Sequence, residues 1–396
     1  MNNTSQILQR NEDYFINNNI IICGYISDTY PLELAKRSKS IHIWFTDYSQ
    51  FNTYIQALGL NVNNNESLKN LNSIVTINKG NIYLYFGASL INAEFNNKSL
   101  IKECTSGIVY ITKSKEESKY MMEQLIASTS NNATLFAVGA NDEGIKGFET
   151  QLKAITPCQK IDNARKCVLL GIENSDELSN IYENKYSQYS FDIYKINMDT
   201  CSSENIKESD NTITINTLSG VFSAKKLDLG TKFLLETFKN ELESKVFNSN
   251  EIKDVLDVGC GSGVISIYLS KLLPKAKIDA SDINAFAISS LIKNNETNNT
   301  QVNGFVSDMF SNINKKYDLI ISNPPFHQGA GVKQLLEPTK KMIKEASSHL
   351  TRNGSLLIVA NSFLVYAEVL KESFKEVKVI AQNNKYKVYF ASNKTN

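Results

Sequence analysis

One segment near residue 320 combines residue types that can hold a flat, polar group. The sequence YDLIISNPPFHQG, Tyr317 to Gly329, leads from an apolar run into Asn323, two prolines and Phe326. Adjacent prolines fix their own backbone dihedrals, remove two amide donors and restrict the residue before them. Asn323 is therefore held rigidly at the end of a predicted strand, beside an aromatic ring. The alternative is a structural Pro-Pro turn followed by a core phenylalanine.

A second segment predicts a ligand close to the backbone. The sequence VLDVGCGSG, Val255 to Gly263, places Gly259, Gly261 and Gly263 between a predicted strand and a predicted helix. Glycine there permits a sharp turn and a close approach of a ligand, although a tight turn without a ligand is the alternative. The spacing is neither GxGxxG nor a phosphate-binding loop. Asp257 precedes the turn, where a buried carboxylate costs free energy unless it is paired.

Two further carboxylates follow at successive strand ends. Asp282 ends the strand after the glycine turn, where it can accept hydrogen bonds from ribose hydroxyls. Asp308 ends the third strand and can meet the exocyclic amine of an adenine. Each aspartate alone can also be a helix N-cap. Together with Asp257 and the glycines, they predict a nucleoside pocket at the carboxyl edge of a sheet.

Alternating strands and helices position these residues. Near-continuous apolar strands separated by helices predict an α/β fold with a mostly parallel sheet covered on both faces. The last two strands, 375–382 and 386–392, are joined by three residues and should form an antiparallel hairpin. The predicted strands before them are 254–259, 276–282, 302–308, 317–323 and 354–361, and the predicted helices are 264–273, 284–295 and 333–350.

The first half of the chain repeats this pattern more weakly. Strands are predicted at 19–28 and 41–47, and strand-helix pairs at 107–128 and 134–155. After its first strand, this half has Gly24 alone where the second half has three glycines. The polar stretch MDTCSSENIKESDNT, residues 198–212, predicts a linker. We therefore expect two tandem domains of similar plan, residues 1–200 and residues 212–396, with the chemistry in the second.

Composition excludes several classes of protein. The chain has 396 residues, a net charge of +1 and 42% hydrophobic residues, which is typical of a globular protein of two or three domains. The six cysteines form no CxxC pair and there are three histidines, so we expect no disulfide framework and no metal site. Because neither a signal sequence nor a bilayer-length apolar run is evident, we expect a cytoplasmic protein without a membrane segment.

The array DVGCGSG, SDIN, SD before MF, and SNPPF resembles the class I S-adenosylmethionine-dependent methyltransferases. Three segments are similar to the ribosomal RNA small subunit methyltransferase C family: SGVFSAKKLDLGTKFLL, SNPPFHQG and LLIVANSFLVY. TLFAVGANDEGIKGFE and KIDNARKC resemble the N-terminal domain of that family. The resemblance implies two tandem Rossmann-like methyltransferase domains. In the second, a seven-stranded sheet ends in the antiparallel hairpin; the first is degenerate and non-catalytic.

The resemblance also assigns roles to the residues. S-adenosylmethionine would be bound by Asp257, Gly259, Gly261, Gly263, Asp282, Asp308 and Asn323. The Asn323 side-chain oxygen and the Pro324 carbonyl would accept hydrogen bonds from a target amine and direct its lone pair at the methyl group. Phe326 would stack on the base, and His327 can either contact the substrate or pack within its loop. The family's His is usually followed by Asp-Gly-Met, whereas this chain has Gln328-Gly329-Ala330.

The implied activity is methylation of a guanine N2 amine in 16S ribosomal RNA, in the small ribosomal subunit, by a monomeric enzyme. The Asn-Pro-Pro-aromatic motif does not by itself separate this substrate from a large-subunit guanine, an adenine or a protein glutamine. The silent N-terminal domain favours the guanine-N2 group. A non-catalytic RNA-binding assembly factor that retains the pocket is a further alternative.

Overall fold

The chain divides into two compact units, residues 1–190 and 191–396. The computed structural model describes residues 1–60, 74–91, 93, 99–186, 191–208, 211–324, 332–364 and 366–393. Each unit is an α/β domain built on its own sheet.

The first unit contains an eight-stranded sheet in the order β3-β4-β2-β1-β5-β6-β8-β7. Its strands are β1 (Asn19–Gly24), β2 (Ser40–Phe45), β3 (Val75–Lys79), β4 (Ile82–Phe86), β5 (Ser106–Tyr110), β6 (Thr134–Ala140), β7 (Cys158–Ala164) and β8 (Cys167–Glu173). Its helices are α1 (Asn3–Arg10), α2 (Tyr30–Leu34), α3 (Tyr48–Ala57), α4 (Lys115–Ser128), α5 (Ile145–Lys153) and α6 (Asp176–Tyr186).

The second unit contains a seven-stranded sheet in the order β13-β12-β11-β14-β15-β17-β16, and a separate pair, β9 and β10. Its strands are β9 (Asp192–Asn197), β10 (Thr212–Thr217), β11 (Asp254–Val258), β12 (Lys277–Asp282), β13 (Asn303–Val306), β14 (Tyr317–Ser322), β15 (Leu350–Asn361), β16 (Glu376–Gln382) and β17 (Tyr386–Ser392). Its helices are α7 (Leu229–Glu243), α8 (Val264–Leu272), α9 (Ala285–Asn298), α10 (Val332–Ala346) and α11 (Ala367–Ser373).

The two large sheets share one plan, which confirms the predicted tandem fold. In the second unit β11 pairs in parallel with β12 and β14, and β15 pairs antiparallel with β17. In the first unit β1 pairs in parallel with β2 and β5, and β6 pairs antiparallel with β8. Strand for strand the orders match, except that the first unit adds β3 at its edge. The predicted C-terminal hairpin is β16 and β17.

The boundary between the units differs from the position that the polar stretch suggested. Strand β9 lies before that stretch, yet it pairs antiparallel with β10 over six residues within the second unit. The polar segment therefore connects two paired strands. Local composition does not show that the strands on either side of this polar segment pair with each other.

The central strands of the second unit are buried, and their carboxyl ends lie at one edge of the sheet. Four of the five residues of β11 are buried, as expected for a strand covered on both faces. Leu256, Ile320 and Leu356 pack with Met342 and Ile343 of α10 on one face. Because β11, β12 and β14 are parallel, the residues that follow them converge on one edge of the sheet.

No helix in the described segments is long and apolar enough to cross a membrane.

Candidate active site

A cavity of about 500 Å³ opens at this edge of the second sheet. Six of the residues singled out from the sequence line it: Gly259, Gly261, Asp282, Asp308, Asn323 and Pro324. Asp257 and Gly263 lie beside the cavity wall and are not among its lining residues. Phe326 and His327 lie outside the described residues.

The glycine turn leaves the cavity open. Gly259 and Gly261 have φ values of +70° and +55°, and a Cβ at either position would meet no atom within 4 Å. The turn is held by hydrogen bonds from the amides of Gly259 and Cys260 to the Ser281 carbonyl, at 2.8 and 3.0 Å. The backbone is therefore bare on its cavity side, and a ligand can approach it closely.

Gly263 serves packing instead. It has a φ of +81°, and a Cβ there would lie 2.3 Å from Cδ1 of Leu291 on α9. The third glycine therefore lets the start of α8 pack against α9, while the first two face the ligand space.

Asp282 connects the glycine turn to the next helix. Its Oδ2 accepts a hydrogen bond from the Gly261 amide at 2.9 Å, and its Oδ1 accepts one from the Asn284 amide at 2.9 Å. Asn284 in turn caps α9 by accepting from the Phe286 amide. The carboxylate is thus held in a fixed position at the cavity wall, directly beside the turn.

Asp257 lies behind the turn, fully buried in β11. The Ser266 hydroxyl of α8 donates to its Oδ2, while its Oδ1 has no hydrogen-bond partner within the described part of the chain. Burial raises the pKa of this carboxyl from 3.8 to about 7; the Ser266 hydrogen bond opposes the shift and the Asp282 charge adds to it. The position of Asp257 fits a role in supporting the turn from α8.

Asn323 lies where β14 ends at the cavity. Its side-chain nitrogen donates to Asp228 Oδ2 at 3.0 Å and to Thr231 Oγ1 at 2.8 Å. The Ser322 hydroxyl donates to the Val258 carbonyl at 2.7 Å and joins the ends of β14 and β11. With both amide hydrogens directed at Asp228 and Thr231, the Asn323 oxygen points away from them.

Comparisons with known proteins agree on one family. A family model described as the methyltransferase small domain matches residues 212–390, and its N-terminal counterpart matches residues 5–86 and 79–189. A ribosomal RNA small subunit methyltransferase C of Aliivibrio fischeri is 33% identical over 387 residues, covering 98% of each chain. One from Haemophilus influenzae is 32% identical over 391 residues, again covering 98% of each chain. The chain belongs to the ribosomal RNA small subunit methyltransferase C family.

A solved structure is similar over nearly the whole length. The T. thermophilus 16S rRNA N2 methyltransferase RsmC, in complex with AdoMet and guanosine, matches with a TM-score of 0.75. The match covers 99% of this chain and 92% of the other at 18% identity. It shows that both units share the fold of that methyltransferase.

Two residues of the methyltransferase cavity were not predicted from the sequence. Asp228 and Thr231 begin α7 and line the cavity, and they lie 95 and 92 residues from Asn323 in the chain. An Asp immediately before a segment with helical apolar periodicity is a signal for a helix start. It does not show which strand end that helix will contact.

Tyr194 of β9 is a third such residue. Its hydroxyl is buried and lines the cavity, and it has no hydrogen-bond partner among the residues that the structure describes. Burial, and secondarily the Asp228 charge, raise its pKa above the ordinary value for tyrosine, so the hydroxyl stays protonated. The chain has 18 tyrosines, and nothing in the sequence distinguishes this one.

The equivalent strand ends of the first methyltransferase-like unit lie in close contact with neighbouring segments. A Cβ on Gly24 would lie 1.8 Å from the Tyr110 carbonyl oxygen. The Asn2 amide and the Ser5 hydroxyl, at the start of α1, donate to the Asp28 carboxylate at 2.7 and 2.8 Å. The start of α1 is thus hydrogen-bonded to the segment that follows β1, and the end of β1 lies in close contact with β5 at Gly24.

Proposed function

We propose that this chain transfers a methyl group from S-adenosylmethionine to the exocyclic N2 amine of a guanine in 16S ribosomal RNA of the small subunit. The observation that carries the proposal is the placement of Asn323. Its amide group has a fixed orientation at the cavity that also contains the glycine turn and Asp282. Relatives in the same family are named for methylation of small-subunit ribosomal RNA.

The cavity residues fit S-adenosylmethionine. A cavity of about 500 Å³ is within the range of small-molecule sites, roughly 300 to 1,000 Å³. The bare backbone at Gly259 and Gly261 accommodates the methionine part, Asp282 can accept ribose hydroxyls, and Asp308 can accept from the adenine amine. The bound cofactor supplies an electrophilic sulfonium methyl group. The T. thermophilus relative was solved with this cofactor.

Asn323 and Pro324 prepare the nucleophile. An aromatic amine is weakly nucleophilic because its lone pair is delocalised into the ring. When the Asn323 oxygen and the Pro324 carbonyl accept hydrogen bonds from the amine hydrogens, the lone pair is directed out of the ring plane. Orientation of this kind supplies several kcal/mol of catalysis. No strong base is required, since the proton becomes acidic once the methyl group has transferred.

The substrate base must reach this edge from outside. A guanine paired or stacked in an RNA helix cannot present its amine to Asn323, so it has to leave the stack. Phe326 is proposed to stack on the extruded base, which is worth roughly 1 to 3 kcal/mol for a base on an aromatic ring. His327 follows Phe326 directly in the sequence. A ribosomal substrate also implies a cytoplasmic location.

The two units differ at the carboxyl ends of their central strands, and this difference supports a different role for each unit. The second unit has the open cavity, and the first has Asn2 and Ser5 hydrogen-bonded at the equivalent place. We therefore assign catalysis to residues 191–396 and a non-catalytic role to residues 1–190.

Nucleoside mapping tests this function. Small subunits are isolated from cells with and without the gene, and their 16S RNA is digested and analysed by mass spectrometry. Loss of one N2-methylguanosine, restored by the wild-type gene and not by Asn323→Ala, is expected. Loss of a methyladenine, a large-subunit guanine or a methylglutamine would instead assign the alternative substrate. Unchanged modification with immature subunits would indicate an assembly factor.

A further inference from the structure

The residues at the start of α7 form a cluster of hydrogen bonds with Asn323. Asp228 caps the helix, and its Oδ2 accepts from the Thr231 amide at 2.9 Å and from the Asn323 side chain at 3.0 Å. The Thr231 hydroxyl oxygen accepts the second bond from Asn323 at 2.8 Å. One carboxylate oxygen therefore serves both the helix start and the end of β14.

Gly230 leaves the room that this oxygen needs. A Cβ at position 230 would lie 3.0 Å from Asp228 Oδ2 and 3.3 Å from the Tyr386 ring. A side chain there would press on the carboxylate and on the ring together. The sequence Asp-Leu-Gly-Thr thus supplies the cap, the space and the second acceptor within four residues.

The chemistry of these partners fixes the orientation of the amide. An ionised carboxylate only accepts hydrogen bonds, whereas an amide presents a donor on one side and an acceptor on the other. Rotation of the Asn323 amide by 180° would replace the 3.0 Å bond by an oxygen-oxygen contact with Asp228. The arrangement selects the orientation whose oxygen faces away from α7.

We propose that Asp228 and Thr231 are positioning residues for methyl transfer, which hold Asn323 so that its oxygen is presented to the substrate amine. This inference rests on the proposed function, because the amine is the group that the oxygen would accept from. Neither residue needs to touch the substrate for this role.

Reversal of the hydrogen-bond polarity tests the proposal. The variants are Asp228→Asn, Asn323→Asp and the double variant, with Thr231→Val as a separate removal of one acceptor. Asn is as good an N-cap as Asp, so Asp228→Asn preserves α7. Asp47→Asn makes the same change at the cap of α3 in the first unit, where Asp47 accepts from the Gln50 amide at 3.0 Å, and is the matched control.

The readouts are the single-turnover rate of methyl transfer to small subunits, the Kd for S-adenosylmethionine and the unfolding midpoint. Asp228→Asn can keep an oxygen at the position of Oδ2, but it replaces a charged acceptor by a neutral one. The hydrogen bond that orients Asn323 is then weaker, and we expect a rate about tenfold lower, the effect of a loss near 1.4 kcal/mol. Asn323→Asp sets two carboxylates against each other and should lower the rate further. The double variant removes one of the two facing charges and lets the amide introduced at position 228 donate to the carboxylate introduced at position 323, although that orientation gives up the bond from the Thr231 amide. Its rate should therefore exceed that of Asn323→Asp by at least about tenfold.

The Kd for the cofactor should change little in Asp228→Asn and Thr231→Val, and Asp47→Asn should match the wild type in every readout. A role of Asp228 confined to capping would leave the rate of Asp228→Asn unchanged. That result, or additive effects of the two changes on the rate, would overturn the proposal.

Failure of the proposed function gives a different result. If the wild-type protein does not methylate small subunits, that function is wrong, and the hydrogen bond is still measurable in the unfolding midpoints. Recovery of the midpoint in the double variant relative to Asn323→Asp supports the pairing of Asp228 with Asn323. Additive midpoints would refute the pairing itself.

Discussion

Replacement of Asp282 by Ala separates cofactor binding from local structure. In the structure the carboxylate accepts hydrogen bonds from the amides of Gly261 and Asn284, both at 2.9 Å. Each carboxylate oxygen can accept more than one hydrogen bond, and we propose that Asp282 also accepts from the two ribose hydroxyls of the cofactor. Asp282→Ala therefore removes two backbone bonds in every state of the protein, and two ribose bonds only in the complex with S-adenosylmethionine.

The two ribose bonds set the magnitude of the loss. A hydrogen bond to a charged group contributes roughly 1.5 to 3 kcal/mol. At the lower value, loss of both bonds costs about 3 kcal/mol of binding free energy, which raises the Kd by about a hundredfold. Loss of the backbone bonds lowers the free energy of unfolding and adds to the Kd only if the glycine turn moves.

Asp318→Ala is the matched control. Asp318 Oδ2 accepts from the amides of Lys253 and Asp254 at 3.0 and 3.1 Å, and its Oδ1 accepts from the Thr351 hydroxyl at 3.0 Å. It lies near the amino end of β14, at the opposite edge of the sheet from the cavity. The control therefore removes the same kind of backbone contact without touching the proposed ribose site.

The assay is calorimetric titration of each purified variant with S-adenosylmethionine, together with thermal unfolding. We expect both variants to lose stability and Asp282→Ala alone to lose affinity. A Kd for Asp282→Ala within twofold of the Asp318→Ala value would refute the ribose assignment.

Four other predictions follow from the site. Asn323→Ala should lower the single-turnover rate about a hundredfold with little change in the Kd for the cofactor, as for the loss of one positioned catalytic group; a near-normal rate would make the Pro-Pro segment a structural turn. Gly261→Ala projects a methyl group into the cavity and should raise the Kd for the cofactor more than Gly263→Ala does. Gly263→Ala brings a methyl group against Leu291 and should lower the unfolding midpoint more than Gly261→Ala does. Because the folded pKa of Asp257, about 7, lies above its ordinary 3.8, the stability from its protonated form is fully present below about pH 4 and is lost as the pH rises to 7. The unfolding free energy of the wild type relative to Asp257→Asn should fall over that range and then level off; a difference that is constant with pH would contradict the raised pKa. Titration of the intact chain should give one cofactor per chain, since Gly24 is in close contact with Tyr110 and Asn2 and Ser5 are hydrogen-bonded to Asp28 beside it; two sites would contradict this expectation.

The sequence alone predicted which strand-end residues lie together at one edge of the second sheet. Parallel strands bring their carboxyl ends to one edge, so the glycine turn, Asp282, Asp308 and Asn323 could be placed together before their contacts were known. The structure adds which glycines face the cavity. Gly263 looks like the other two in sequence, and only the position of Leu291 on α9 distinguishes it.

Contacts between residues that are distant in the sequence could not be predicted from local sequence patterns. The partners of Asn323 lie more than 90 residues earlier, at the start of a helix whose sequence signals only a cap. The pairing of β9 with β10 on either side of a polar connection could likewise not be predicted from local composition. Asp257 was predicted to bind the cofactor; it is buried in β11, where the Ser266 hydroxyl of α8 donates to it, and it is not among the residues that line the cavity.

Methyl transfer by the purified protein is the most direct test of the proposed reaction. Small subunits from cells without the gene are incubated with the protein and with S-adenosylmethionine carrying a deuterated methyl group, and the 16S RNA is digested and analysed by mass spectrometry. We predict one deuterated N2-methylguanosine per subunit, at a rate strongly reduced by Asn323→Ala and unchanged by Asp47→Asn. Absence of the label from guanine N2, or its appearance in another nucleoside or in ribosomal protein, would contradict the proposed reaction.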